Sequence, residues 1–453
     1  MKAFSAKETW IWLKTLWDRS RNLRRSRAEI QASHQKKFRK LVAFAKERSP
    51  FYRAIIAERG IDPEHCSIED FPVLAKKEVI DNFDQIVTDS RISRARIADF
   101  LSHSSDPNEL FEGQFHVLHT SGTSGTMGYY VFSHHEWING SSHIARVVRP
   151  GRRKRIAYVA ATRGHFAGVS LSLTGNQGLR RFLYEIVPFD VGIPVPQIIR
   201  ELNEFQPHVL SGYAAMMKVL AESQEAGLLR IKPRQITSGG EMLTQENKSY
   251  IERVFNAKVI NAYASSEHLY MGLTLPGSDG LHLLEDDLIF ELQQDHTCIT
   301  NLFNYTMPLI RYRINDVLVP DLRQSKYPFL RVREVVGRYE DALVFTNRFG
   351  QREFIHPIVI VELMVPGLRS WQIQLIDSTS FVFRARFEPD LGETEKRLAH
   401  TRIREKMQSI LAEKDMQNVT FDVEERDEIP VDPQTGKFRL VVRPASRQMD
   451  AAA

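Results

Sequence analysis

The stretch HTSGTSGTMG, residues 119–128, alternates hydroxyl side chains with glycines between two apolar flanks. Gly122, Gly125 and Gly128 permit unusual backbone angles and let N–H groups approach a ligand closely. Thr120, Ser121, Thr123, Ser124 and Thr126 add hydroxyl donors, and together these groups suit the oxygens of a polyphosphate. The loop is not the G-x-x-x-x-G-K-[ST] pattern of classical nucleotide-triphosphatases. It contains no lysine, and the YYVFS that follows reads as a strand rather than a helix. On its own such a loop is more simply a surface turn, so its company decides.

That company is chemically coherent. NAYASSEH (261–268) sets Tyr263, Ser265, Ser266 and Glu267 behind a strand-like AKVI. A carboxylate beside small hydroxyl residues at a strand end can hold Mg²⁺ against substrate phosphates; an exposed acidic loop is the competing reading. MPLIRYRINDV (307–317) offers Asp316 to vicinal ribose hydroxyls, and GRYED (337–341) offers Arg338 to phosphate or ribose. PVDPQTGKFRLV (430–441) presents Lys437 after a turn-rich stretch. That lysine is either a solvated hairpin charge or an ammonium delivered by a moving domain to developing negative charge.

The elements that must position these residues follow from pattern. Residues 1–60 read as helical, with Pro50 interrupting FAKERSPFYRAI. From Phe115 to about Asp316, β-rich runs alternate with helical ones. RIAYVAATR (155–163) and QITSGGE (235–241) read as strands, and PVPQIIRELNEF (194–205) and AAMMKVLAESQEAG (214–227) as helices. This alternation predicts an α/β domain with a largely parallel sheet. Beyond VVGRYEDAL (335–343) the pattern becomes a compact unit. SWQIQLI (370–376), SFVFRARF (380–387) and VTFDVEE (419–425) read as strands, and Leu398, Ile403, Met407, Ile410 and Leu411 form a helical stripe. The predicted fold class is therefore α/β: a large N-terminal domain with mixed sheets over 1–337, and a small mobile α+β lid over 338–453.

Composition narrows the classes further. A chain of 453 residues exceeds what one core usually serves. With two cysteines, Cys66 and Cys298, in no paired motif, a disulfide framework and a cysteine-rich zinc site are excluded, and a reducing cytoplasm is expected. No run approaches the length of a membrane span. Trp10, Leu13 and Trp17 fall at helical spacing and are expected to dock on the protein itself. The net charge of +5 is concentrated in RNLRRSR (21–27) and GRRKR (151–155), which read first as solvated faces. With 56 acidic residues against 61 basic ones and no recognisable binding module, nucleic acid is not an expected partner.

Taken in order, these motifs resemble the adenylate-forming superfamily, specifically its phenylacetate–coenzyme A ligase-like branch. SPFYR (49–53) with EDFPVLAKKEV (69–79) is similar to that branch's N-terminal signature, HTSGTSGTMG to its phosphate loop, and TSGGEML (237–243) to the segment lining the adenine and acyl pockets. The resemblance covers nearly the whole chain. It implies activation of a carboxylic acid by ATP as an acyl-adenylate, followed by transfer to an acceptor, most often the thiol of coenzyme A. Thr120, Ser121, Gly122, Thr123, Ser124 and Gly125 would hold the β- and γ-phosphates, and Gly239, Gly240 and Glu241 would line the nucleotide and acid pockets. Glu267 would bind Mg²⁺ with Ser266 near the α-phosphate, Tyr263 would stack on adenine, and Asp316 would grip the ribose. Arg338 would support the nucleotide, Glu340 or Asp341 would serve as hinge, and Lys437 would bridge the acid and α-phosphate.

The chain departs from the family pattern in having Met127 and Gly128 where a lysine usually follows the loop, Asn315 where glycine precedes the aspartate, and Glu340 at the usual hinge aspartate. ATRGHFAGVSL (161–171) puts His165 and Phe166 at a prospective pocket wall, where they suit an aromatic acid; a core histidine on a buried turn is the alternative. The acceptor stays open between coenzyme A, an amine and a carrier-protein thiol. Nitrite stays open in place of the acid, and a homodimer is compatible with the sequence.

Overall fold

The computed structural model describes residues 6–119, 128–148, 153–160, 162, 164–190, 195–240, 243–336, 343–350, 352–355, 365–413, 415–429 and 441–442. Its contacts separate into two compact units, Met1–Ile314 with Leu318–Val335, and Asn315–Val317 with Val336–Ala453.

The first unit opens with helices α1 (Ala6–Asn22), α2 (Arg27–Arg48) and α3 (Pro50–Arg59). Pro50 starts α3 rather than merely breaking α2, because the first helical position needs no N–H. Ser49 serves both helices: its hydroxyl accepts from the Tyr52 N–H and donates to the Gln85 carbonyl at 2.9 Å. Helix α1 docks on the protein, but not through the residues its spacing suggested. Trp12, Arg19 and Asn22 are buried, whereas Trp10, Leu13 and Trp17 face outward. Ion pairing of Arg19 with Asp286 and Asp287 sets that rotation, and hydropathy alone could not register it.

Strands β1 (Phe115–His119) and β2 (Tyr129–Ser133) form an antiparallel hairpin closed by the pair His119↔Tyr129. The main sheet has nine strands. Its parallel half is β3 (Lys154–Ala160), β4 (Tyr184–Asp190), β5 (Val209–Gly212), β6 (Gln235–Gly239) and β7 (Lys258–Ser265), in spatial order 4-3-5-6-7. Helices Val195–Phe205, Ala214–Glu225 and Gln245–Phe255 cover it. Ile198, Leu202, Met217, Leu220 and Ile251 pack on Leu210, Ile236 and Val259. Beyond β7 the sheet turns antiparallel through β8 (Leu269–Thr274) and β9 (Leu281–Leu283). The sheet is mixed, with the parallel character confined to the βα-alternating stretch.

In the second unit, Leu368–Leu375 and Ser380–Phe387 pair antiparallel, with Thr420–Glu425 and Val441–Val442 added parallel on either side. The helix Glu393–Glu413 lays Ala399, Ile403, Met407 and Leu411 against this sheet. These positions advance by four residues, so Leu398 is out of phase with them and is exposed, with the smaller Ala399 in the inward place.

Candidate functional site

Ligand sites in open α/β sheets gather at the carboxyl ends of parallel strands, and Gly239, Gly240 and Glu267 lie at such ends here. Strand β6 ends at Gly239 beside Ala262 of β7. A Cβ on Gly239 would lie 2.8 Å from the Ala262 carbonyl oxygen, so the close approach of the two backbones requires glycine. Gly240 follows with φ +77°, and a Cβ there would press within 3.0 Å of the Tyr213 ring. The NAYASSEH motif does not follow a strand, as its sequence suggested. Asn261–Ser265 are the end of β7, and the register slips between Tyr263 and Ala264. Such a bulge re-aims the side chains beyond it. Tyr263 itself is half-buried.

The chain then reverses in three residues, Ser266, Glu267 and His268, between the paired Ser265 and Leu269. Leu269 is fully buried with φ +59°, a strained conformation for a branched side chain. Gly140 makes room for it: a Cβ at that helix position would collide with Leu269 and come 2.9 Å from Phe303. Strain of this kind persists where surrounding packing over-determines it, and here it adjoins the turn carrying Glu267.

The Ser266 hydroxyl donates to the His119 carbonyl at 3.4 Å. His119 is the last residue of β1 before the hydroxyl–glycine loop, and its N–H donates to the His165 carbonyl at 3.1 Å. The root of the loop is thus tied to the Glu267 turn. Glu267 is buried, with its Oε1 accepting from Tyr312 at 3.4 Å, and Tyr312 in turn meets Tyr130 at 3.1 Å. Burial, then the neighbouring Glu267, push the Tyr130 hydroxyl well above its usual pKa, so that phenol stays protonated. Among the described residues no cation pairs with Glu267. A desolvated carboxylate answered only by phenols suits a hard divalent cation, so the residue fits the Mg²⁺ role. His268 beside it is fully buried with neither ring nitrogen bonded among the described residues, and burial drives its pKa down to about 3.

His165 and Phe166 diverge. The His165 ring is buried, bonded to the Ser104 hydroxyl at 3.0 Å and edge-on to Phe100, while Ser104 donates to Glu109 at 2.5 Å. Burial, then His119, lower its pKa. Phe166 instead packs on the His119 ring at the loop root, with centroids 4.6 Å apart. Asp316 is half-buried in the turn joining Tyr312–Ile314 to Val317–Pro320. Thr120 through Gly125, Glu241, Arg338, Glu340, Asp341 and Lys437 lie outside the described residues. Sequence reasoning passed over His119, Tyr130 and Tyr312. The first stands in the quoted loop motif and the last in RYRIND, but nothing in spacing marks a tyrosine as a glutamate's partner.

One other group has the composition of a metal site: His143, Asp286 and Asp287 converge within 4.8 Å. Their carboxylates are already engaged. Asp286 takes Arg19 at 2.8 Å and Arg146 at 2.7 Å, while Asp287 takes Arg19, Lys37 at 2.9 Å and His143 at 3.2 Å. Burial works against both carboxylates, yet Arg146 and Arg19 hold Asp286, and Arg19 and Lys37 hold Asp287, well below the usual range. This is an ion-pair knot rather than a metal centre. The basic run near residue 153 is likewise occupied locally: Arg155 donates to the Gln206 carbonyl and Arg153 pairs with Glu185 at 3.3 Å.

No family profile matches the chain. It is 26% identical over 353 residues to a phenylacetate-coenzyme A ligase of Thermus thermophilus, covering 70% of this chain and 72% of that protein. It is 23% identical over 352 residues to protein CapK of Staphylococcus aureus, covering 73% of each. Among solved structures, a 2-hydroxyisobutyryl-CoA ligase in its postadenylation state superposes with TM-score 0.69 at 19% identity, over 94% of this chain and 92% of that one. An open conformation of such a ligase, with its acyl-AMP and CoA, gives 0.61 at 19% identity over 93% of both chains. These structures share the fold of two unequal domains. In sequence and fold alike, the chain resembles the AMP-forming acid–thiol ligases of the adenylate-forming superfamily, in their phenylacetate–coenzyme A ligase-like branch.

Proposed function

We propose that this protein is an ATP-dependent ligase that activates an aromatic carboxylic acid as its acyl-adenylate and passes the acyl group to coenzyme A. The observation that carries the proposal is the bond from Ser266 to the His119 carbonyl, which joins the root of the hydroxyl–glycine loop to a turn bearing a buried carboxylate that no cation among the described residues meets. The aromatic class rests on the likeness to a phenylacetate-coenzyme A ligase and on Phe166 standing at that junction.

In the first step a carboxylate oxygen of the acid attacks the α-phosphorus of ATP, and the bond to the bridging oxygen breaks to release pyrophosphate. Thr120–Gly125 hold the departing phosphates through hydroxyl and N–H donors, and Asp316 and Arg338 hold the ribose side of the nucleotide. Gly239 and Gly240 admit the nucleotide and acid by presenting backbone where a side chain would intrude, and Tyr263 packs against the base. Glu267 holds the Mg²⁺, which neutralises phosphate charge when bound. Lys437 brings a positive charge to the acid and α-phosphate as negative charge develops. In the second step the thiolate of coenzyme A attacks the acyl carbonyl and AMP leaves, with the lid of residues 338–453 turning about Glu340 or Asp341 between steps.

The test is ATP–pyrophosphate exchange over a panel of aryl, arylacetic, hydroxy and amino acids, with Lys437→Ala as control. Exchange with an aryl or arylacetic acid, lost by about 10²–10³-fold in the control, supports the reading. Exchange only with aliphatic acids overturns the aromatic class. No exchange by protein that still binds ATP overturns carboxylate activation.

A further inference from the structure

Helix α1 buries its arginine and exposes its tryptophans. Trp10, Leu13 and Trp17 are 62%, 54% and 61% exposed, although they are the most apolar side chains on their side of the helix. At 100° per residue, Trp10, Leu13, Lys14, Trp17 and Arg21 fall within an arc about 100° wide. No carboxylate lies in that arc. The cations stand on the aromatic rings, Lys14 at 5.3 Å from Trp10 and Arg21 at 5.4 Å from Trp17. A short 3₁₀ turn, Gly178–Phe182, repeats the composition beside the helix. Its Arg180 lies 5.9 Å from Trp12 on the buried side of α1, while Leu179 and Phe182 are 50% and 62% exposed and Arg181 stands 5.0 Å over Phe182.

The opposite face of α1 is fixed. Arg19 reaches Asp286 and Asp287, Asn22 reaches Asp286 at 3.1 Å, and the Arg19 carbonyl accepts from Arg146 at 3.2 Å. The helix therefore cannot roll its tryptophans inward without breaking a buried charge network, which is costly. An outward face of tryptophan and leucine whose charged members are lysine and arginine has the chemistry of a helix lying in a membrane interface. Rings sit at the headgroup level and cations meet lipid phosphates.

We propose that the Trp10–Leu13–Trp17 face of α1 is a docking face for an anionic phospholipid surface, on which the protein sits peripherally. Charge disfavours the simplest rival. In a two-fold interface between copies, the patch would meet itself and oppose Lys14 and Arg21 to like charges.

The test is co-sedimentation of the full chain with vesicles of phosphatidylcholine, with and without phosphatidylglycerol, beside sedimentation velocity without lipid. Binding is expected only with phosphatidylglycerol and should weaken with added salt. Lys14→Gln with Arg21→Gln should weaken it about thirtyfold, roughly fivefold per charge. Trp10→Ser, Leu13→Ser and Trp17→Ser together should abolish it. These side chains touch no part of the proposed active site, so melting temperature and ATP–pyrophosphate exchange should be unchanged. If the triple variant misfolds, the two-charge variant, altered only at exposed positions, carries the test. Absence of binding to anionic vesicles overturns the proposal, as does equal binding by both variants. A dimer that the triple variant dissolves, without lipid binding, assigns the face to a second copy instead.

Discussion

Two acidic turns leave the main sheet from strands on either side of β8, and both are buried. Glu285, Asp286 and Asp287 follow β9, and each carboxylate meets a cation: Arg27, Arg19, Arg146 or Lys37. Glu267 follows β7 and meets only tyrosine hydroxyls among the described residues. The first turn has its charge balanced by the protein and so does structural work, pinning the N-terminal helices. Among the described residues the second has no such partner, and a buried carboxylate without a cation is unfavourable unless something else supplies the charge. The contrast separates a knot that closes the fold from the carboxylate assigned above to the proposed site.

Removing one charge from each turn breaks the comparison most directly. Asp286→Asn leaves Arg19 and Arg146 buried without their partner and is expected to cost about 3–5 kcal/mol of stability. Denaturant unfolding should show this, while exchange activity per folded molecule is retained. Glu267→Gln is expected to do the reverse. Stability should hold or rise in the ligand-free protein, while exchange falls by about 10²–10³-fold, with the Mg²⁺ concentration required for half-maximal rate rising. If Glu267→Gln instead unfolds the protein and leaves the folded fraction active, the two turns are alike and the distinction fails.

A smaller effect sharpens the same point at the backbone. Gly140→Ala pushes a methyl into Leu269, whose strained φ adjoins the Glu267 turn. Overpacking of this kind typically costs about 1–3 kcal/mol. The variant should lose activity beyond its loss of stability, because the displaced residue adjoins the proposed site. A pure stability loss, with kcat per folded molecule unchanged, would show that Leu269 does not position the turn.

Much of this was legible in the sequence, and for identifiable reasons. The parallel half of the sheet came from βα alternation, which is local, and the loop and glutamate motifs came from residue chemistry within ten positions. The knot was invisible because Arg19 and Asp286 are far apart in the chain, and no periodicity records such a pairing. The rotation of α1 went unread for the same cause: a buried arginine outvoted three apolar residues. Leu398 was misplaced because a stripe drawn through the larger side chains missed the four-residue advance that Ala399 begins. The partners of Glu267 escaped notice because tyrosines at 130 and 312 are joined only by the fold.

The knot also predicts how stability responds to acid. Burial, then Arg19, push the His143 imidazole down from its ordinary value to about 4. The unfolded chain therefore binds a proton there that the folded chain refuses. Stability from this group is complete above roughly pH 6.5 and falls as the pH drops toward about 4. Asp286 and Asp287 act lower: their folded pKa values are depressed, so their contribution persists above the ordinary carboxylate range and is lost only as pH falls below it. Melting temperature against pH should thus decline in two stages. His143→Gln keeps a donor for Asp287 but cannot titrate, so it should shrink the upper stage and leave the lower one intact. An unchanged upper stage would move that titration to other buried histidines such as His282, also lowered to about 4 chiefly by burial. The acid sensitivity would then belong to the sheet rather than to the knot that anchors α1.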